Sequence, residues 1–379
     1  MRLLFLLQGR ELEDQIGAVD ALRKLQAEGV LSVFEAIPYW QYGTDHGWPA
    51  FWRHVEATAR QMDADTIFFQ FFHGAMGVER SQIEALRQLP SKPTLVVSSG
   101  DPFGQWFNRL PRSLRLVSSM ADLTFMTGMG YMADSLARTG SRNLLFMTNG
   151  HCQVRFSAPE SAPPAGPDFD VVFIGSRHKA RNFLSDHFRA AYHREQIVRA
   201  LQQRYGDKFG LFGHHWEGFS SWQGATTYAE QGRVYRRARI AIGGFPHSLA
   251  DYYTSDRVFI AAVSGTPFVD QFVPRVDRIL RDGEHWWLYR NQAEMLQLCD
   301  KLLALSDAER WTMGQRTAQY CAARHSQYHR NREMLMLARS YREAGQAGLA
   351  PARPQLEYFL PEVDQVAEWP YATRNWTGR

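Results

Sequence analysis

Apolar residues recur along this chain in short unbroken runs, which alternate with longer stretches where they fall every three or four positions. In the first half the runs are Leu3 to Leu7, Leu31 to Ile37, Thr66 to Phe72, Thr94 to Ser98, Leu123 to Met126 and Leu144 to Met147. Runs this short and this apolar read as strands buried on both faces. Between most of them lie stretches such as ELEDQIGAVDALRKLQAEG, whose Leu12, Ile16, Val19, Leu22 and Leu25 share one helix face. Strands separated by helices of this length predict βαβ units and a parallel sheet.

The alternation stops at SAPESAPPAGPDFD, with four prolines between Ser157 and Asp170 and little to bury. Proline extends the chain and removes backbone donors, so this stretch reads as a linker. The pattern then restarts. Strands are expected at Val171 to Ile174, Phe209 to Phe212, Ile240 to Ile242, Phe268 to Asp270 and Trp286 to Arg290. Helices are expected over about 185–205, 227–237, 292–305, 307–324 and 329–344. In SDRVFIAAVSGTPFVDQF a buried helix begins near Arg257 and passes through Gly265, Thr266 and Pro267 into a parallel strand. The domains expected are residues 1–157, a linker at 158–169, a second α/β domain at 170–345, and a tail at 346–379. Tyr358, Phe359, Leu360, Val363 and Trp369 in that tail imply that it docks on something.

A length of 379 residues fits two domains, and 45% hydrophobic with 22% charged residues fits a globular chain. MRLLFLLQG is too short an apolar run for a leader peptide and reads as the first strand. No apolar stretch is long enough to span a bilayer. Cys152, Cys299 and Cys321 lie far apart without CxxC spacing, which points to a reducing cytoplasm and away from a structural zinc site. The net charge of +4 is unevenly spread: residues 1–165 hold 15 basic against 16 acidic residues, the remainder 28 against 23. A phosphate-bearing partner would prefer the second half.

Ligands of open α/β sheets bind at the carboxyl ends of the strands, so the residues after each strand carry the chemistry. GSRHKAR supplies Gly175, Ser176, Arg177 and Lys179, a set suited to a diphosphate, or else a solvated basic loop. LFGHHW supplies Phe212, Gly213, His214 and His215, either a loop that contacts a base or sugar or a packed aromatic corner. GGFPHSLADYYTSDR supplies Gly244, Ser255, Asp256 and Arg257. There backbone N–H groups at a helix start, together with a guanidinium, would hold an anion. In the first half His73 and Asp101 follow strands and would face the cleft between the domains, as catalytic groups or as structural ones. No metal ligand set is evident, and no GxGxxG follows a strand, which weakens a dinucleotide-dependent reading. RVYRRAR, Arg233 to Arg239, could track a nucleic-acid backbone or be a solvated helix face. The second is preferred, so a nucleic-acid partner is possible but not favoured.

DFDVVFIGSRHKAR, LFGHHW, SDRVFIAAVSGTPFVDQF, ILRDGEHWWLYRNQAEML and ARHSQYHRN, in this order, resemble the donor-binding domain of GT-B glycosyltransferases. Within these the chain is similar to the branch that includes the spore-maturation protein CgeB. The resemblance covers roughly residues 94–335. It implies an α/β fold of two Rossmann-like domains facing across a cleft, with the tail returning to the first domain. It also implies a nucleotide-sugar donor, a UDP-sugar by preference, taken as a substrate with no resident cofactor or metal. By the same resemblance Gly175, Arg177 and Arg257 would lie near the diphosphate, with Gly265 and Thr266 among the donor-site residues. Many retaining members carry two glutamates separated by seven residues. Tyr252 and Ile260 stand at those positions here, so retention is not implied. The expected activity is sugar transfer to a hydroxyl acceptor, with Asp101 and then His73 as candidate bases. The alternative is a protein of the same fold that binds a nucleotide or glycan without turnover.

Overall fold

The computed structural model describes residues 1–72, 76–103, 109–159, 166–177, 186–244 and 249–377. The first half alternates strand and helix: β1 (Arg2–Leu7), α1 (Ile16–Ala27), β2 (Val33–Pro38), α2 (Tyr39–His46), α3 (Trp48–Gln61), β3 (Thr66–Phe69), α4 (Arg80–Arg87), β4 (Thr94–Ser99), α5 (Arg112–Met120), β5 (Leu123–Met126), α6 (Tyr131–Ala137) and β6 (Leu144–Phe146). The second continues with β7 (Phe169–Ile174), α7 (Asp186–Tyr205), β8 (Phe209–Phe212), α8 (Gln231–Arg236), β9 (Ala238–Ile242), α9 (Asp256–Val263), β10 (Phe268–Gln271), β11 (Trp287–Tyr289), α10 (Gln292–Leu303), α11 (Asp307–Arg324), α12 (Gln327–Gln346), α13 (Gln365–Ala372) and β12 (Thr373–Arg374).

Two sheets result. The first has the order β12-β6-β5-β4-β3-β1-β2, and the second β11-β10-β9-β7-β8. Every pairing is parallel except that of β12 with β6. Leu3 to Leu7 and Ile67 to Phe69 are fully buried, as expected of central strands covered by helices on both sides. In α9, Val258 to Val263 are all buried; alanines and a glycine let this helix lie close to α11. A side chain at Gly314 would meet the Gly265 carbonyl at 1.9 Å, and Gly265 has a φ of +77°. Gly265 and Thr266 are thus turn and packing residues at the far end of α9, about 12 Å along the axis from Arg257 at 1.5 Å per residue. Neither lines the cleft described below.

The last helices cross between the domains. α12, which periodicity alone assigns to the second domain, packs along α1 of the first. Its start is fixed by Ser326, whose Oγ accepts from the His329 N–H, and by the bonds His151 N–H to His325 O (2.9 Å) and Gln327 N–H to His151 O (2.8 Å). Its far end is tied down by Arg342, which donates to the carbonyls of Asp65, Ser91 and Lys92. The chain therefore returns to the first domain at residue 327, before the tail begins. The tail follows: Tyr358 donates to the Phe146 carbonyl, and β12 extends the first sheet. Glu368 of α13 binds Arg275 at 3.0 Å and the Tyr252 hydroxyl.

Candidate functional site

Between the two sheets lies a cleft of about 870 Å³. The first domain contributes the ends of its strands: Gln8 after β1, Gln70 to Phe72 after β3, and Ser98 to Asp101 at the end of β4. Asp14 and Gln15 come from the β1–α1 connection and Gly17 from the first turn of α1. The second domain contributes Tyr228, Tyr253 and the segment Ser255 to Arg257 that opens α9, while α12 adds Gln327, Arg330 and Asn331. Ser255 is the N-cap residue by backbone conformation, though its side chain makes no capping bond. Asp101 and Arg257 accordingly face the same space from opposite domains.

Arg257 stands on a charged floor. With Arg194, Asp270, Gly243, Gly244 and Ser255 it lines a small void beneath the cleft. Arg194 is 5% exposed and donates to the carbonyls of Ser176 (2.8 Å) and Gly244 (3.4 Å), joining the loops after β7 and β9. Burial, and then the like charge of Arg257, lower its pKa to about 10. Asp270 is fully buried. Its Oδ1 accepts from the Gln271 N–H at 2.8 Å, and desolvation outweighs both arginines to push its pKa well above the carboxylate range. Its Oδ2 and the Arg257 Nε are both buried without a hydrogen-bond partner among the described residues. The floor thus sets two guanidinium groups beside a carboxyl whose enclosure favours the protonated form.

The neighbouring loops serve this floor rather than the cleft. A side chain at Gly243 would come within 2.4 Å of the Asp270 carboxyl, so its missing Cβ makes room for Asp270 and not for a ligand. Gly244 is confined by Ile197 and Tyr289. Gly213, at φ +134°, would place a Cβ 2.5 Å from the Gly175 carbonyl, which also accepts from Trp216 Nε1 at 2.6 Å. Ser176 Oγ accepts from the His214 N–H, and Phe212 is buried against Phe169. Arg177 gives its guanidinium to Glu195 (2.7 and 3.0 Å) and lies against Trp216 and Phe219. An internal carboxylate thus occupies the group expected to meet a diphosphate. His214 and His215 are exposed, and none of Gly175, Ser176, Arg177 and Phe212 to His215 lines the cleft. His73 and Lys179 lie outside the described residues.

Arg194, Asp270 and Arg330 were not singled out by sequence. Arg194 sits inside an arginine-bearing helix that reads as solvated, and Asp270 follows three apolar residues as an ordinary strand end. Arg330 is 3% exposed, donates to the Asn149 carbonyl and to His325 Nδ1, and lies over the Tyr358 ring. Its neighbour Glu333 is buried, and desolvation raises its carboxyl pKa to about 8. Tyr252 and Ile260 are both buried, Tyr252 stacked on Phe146. Among the described residues no group of three or more His, Cys, Asp and Glu side chains comes together.

Residues 189–336 match the family described as glycosyl transferase-like. No curated protein matches the chain in sequence. Among solved structures it is similar to Anabaena Alr3699/HepE in complex with UDP-glucose, at 13% identity over 89% of this chain and 98% of that one, with a TM-score of 0.55. It is also similar to sucrose-phosphate synthase from Thermosynechococcus elongatus, at 13% identity over 92% and 100% with a TM-score of 0.57. For phage T4 β-glucosyltransferase the values are 12% over 88% and 99%, with a TM-score of 0.51. Residues 189–336 thus resemble the glycosyl transferase-like family in sequence, and the chain as a whole has the GT-B fold of these neighbours.

Proposed function

We propose that the protein transfers a sugar, a hexose by preference, from a UDP-sugar to a hydroxyl acceptor without a metal ion. The observation that carries this reading is the paired-arginine floor at the start of α9, inside the family-matched segment and open to the cleft. In the reaction the acceptor oxygen bonds to the anomeric carbon, and the bond from that carbon to the diphosphate oxygen breaks. Arg257, backed by Arg194, stabilises the charge gathering on the departing diphosphate, the role a divalent cation would otherwise fill. If configuration inverts, the hydroxyl proton passes to Asp101 across the cleft. UDP is favoured as the nucleotide because UDP-glucose is bound in the HepE structure and appears as substrate for the β-glucosyltransferase. Placement in the CgeB-like branch rests on the quoted motifs, and a cytoplasmic location on three cysteines that are buried and unpaired.

Thermal unfolding against a panel of nucleotides and nucleotide sugars tests the donor site. A ligand at 100 times its dissociation constant adds about 2.7 kcal/mol. The expected result is stabilisation by UDP and UDP-glucose that disappears in Arg257→Ala, with a loss of about 2–3 kcal/mol of binding. No stabilisation by any nucleotide would overturn the reading. Stabilisation by UDP with no UDP-glucose hydrolysis would favour the binding-only alternative, which Tyr252 and Ile260 at the two glutamate positions motivate.

A further inference from the structure

The two walls of the cleft differ in a way that bears on the acceptor. The first-domain strand ends present Gln8, Gln70 and Asp101, and the β1–α1 connection adds Asp14 and Gln15. Among the described residues, the cations of the cleft are Arg155 at the linker, Arg257 in the second domain and Arg330 on α12; the strand ends of the first domain supply none. Carboxamides donate and accept at once, and carboxylates accept, so this wall complements hydroxyl groups. A phosphate oxygen can only accept, and it would face Asp14 and Asp101. We infer that the acceptor is a neutral saccharide, held by Gln8 and Gln15 with its reacting hydroxyl toward Asp101, while the buried Gln70, whose Oε1 accepts from the Gln8 N–H at 3.2 Å, fixes the Gln8 backbone. This inference rests on the transferase reading above.

Arg155 and Arg330 lie on the first-domain side of the cleft, and both are engaged by the protein itself. Arg155 donates to the Glu13 carbonyl at 2.8 Å, Arg330 to Asn149 and His325, and Arg257 faces the diphosphate position. In the basic run Arg233 to Arg239, three of the four arginines are already paired with carboxylates. Arg233 pairs with Glu230 (2.8 Å), Arg237 with Asp168 (2.6 Å), and Arg239 with Asp170 and with Asp307 (3.1 Å). DNA, on which a DNA-modifying enzyme of this fold acts, is therefore not the acceptor class this cleft fits.

The test uses the full chain and separates the two readings. UDP binding is measured first, by thermal shift, and its absence would remove the transferase reading itself. With UDP binding intact, UDP release from UDP-glucose is compared between glucose or maltose and glucose 6-phosphate as acceptors. Retention of a hydroxymethylcytosine duplex is measured at about 50 and about 200 mM salt. We expect release to rise with the neutral sugars, at least about 10-fold more than with the phosphorylated one, and no duplex retention at either salt. Gln8→Arg should narrow the discrimination against glucose 6-phosphate. Equal or better use of glucose 6-phosphate, duplex retention that vanishes at the higher salt, or release unmoved by any neutral sugar would each overturn the inference.

Discussion

The two domains share a layered plan but treat buried charge differently. In residues 1–159 the buried polar side chains are neutral: Thr66, Gln70, Ser98, Ser99, Thr124 and Asn143 are representative, and none of the described ones is Asp, Glu, Lys or Arg. Beyond the linker Arg194, Asp270, Arg310, Arg330, Glu333 and Glu368 are all buried. Taking a charge out of water costs several kcal/mol, so a fold retains one where a partner or a ligand compensates. Arg310 closes the carboxyl end of α10 by donating to Leu302 and Leu303. Arg330 and Glu333 lie on α12, where the returning chain docks on the first domain, and Glu368 lies where the tail meets Arg275 and Tyr252 of the second. Arg194 and Asp270 remain, and they lie beneath the cleft. Arg194 also has internal partners in the carbonyls of Ser176 and Gly244, whereas Asp270 Oδ2 and the nearby Arg257 Nε are buried without a hydrogen-bond partner among the described residues.

That division can be broken at its seams. Glu368→Ala would leave Arg275 and the Tyr252 hydroxyl without their carboxylate at a contact between the tail and the second domain. Removing one partner of a buried pair costs about 3–5 kcal/mol, and the partial exposure of Arg275 points to the lower end. Urea unfolding should show this loss with UDP binding intact. A loss below about 1 kcal/mol would mean that water replaces the carboxylate and that the seam is not dry.

Legibility in the sequence follows the same line. Each parallel strand is marked by an apolar run, most completely in the central strands buried on both faces, whereas the two-residue antiparallel β12 has no such run. The tail's aromatic residues announce its docking. Periodicity reveals a helix's apolar face but not which surface covers it, so α12 is assigned to the wrong side of the cleft when read from sequence. A helix start in a glycine-rich context marked Arg257, which lines the cleft. Charge drew attention to Arg177, which lies away from the cleft and is paired with Glu195, 18 residues further along. Asp270 offers no local signal: its significance comes from being wholly enclosed beside two arginines that lie 13 and 76 positions away in the chain.

A smaller effect sharpens the comparison at Glu333. Its folded pKa of about 8 lies above the ordinary 4.5, so the folded state binds the proton more tightly than the unfolded chain does. This contribution to stability is complete below about pH 4.5 and is lost as the pH rises through 8. Between pH 6 and 8 the wild type should lose about 2 kcal/mol from this group, and Glu333→Gln should remove that slope. Denaturant titrations of both proteins at the two pH values read the difference. Parallel slopes would show the carboxyl to be ionised throughout, with Arg330 as its true partner.

The smallest expected effect is at Asp270. If its carboxyl is neutral, as enclosure by Phe173, Tyr235, Phe268 and the two glycines dictates, Asp270→Asn replaces one uncharged group with another of the same shape. UDP affinity should then change by less than about threefold, and it should stay level as the pH falls from 7 to 5, because the group already carries its proton. An ionised carboxylate would behave otherwise. It would neutralise one of the two guanidinium groups, so its replacement by Asn would strengthen binding of a diphosphate about 10-fold or more, and acidification would do the same to the wild type. A single set of UDP titrations on both proteins, at both pH values, therefore decides whether the floor of the cleft carries two uncompensated charges or one.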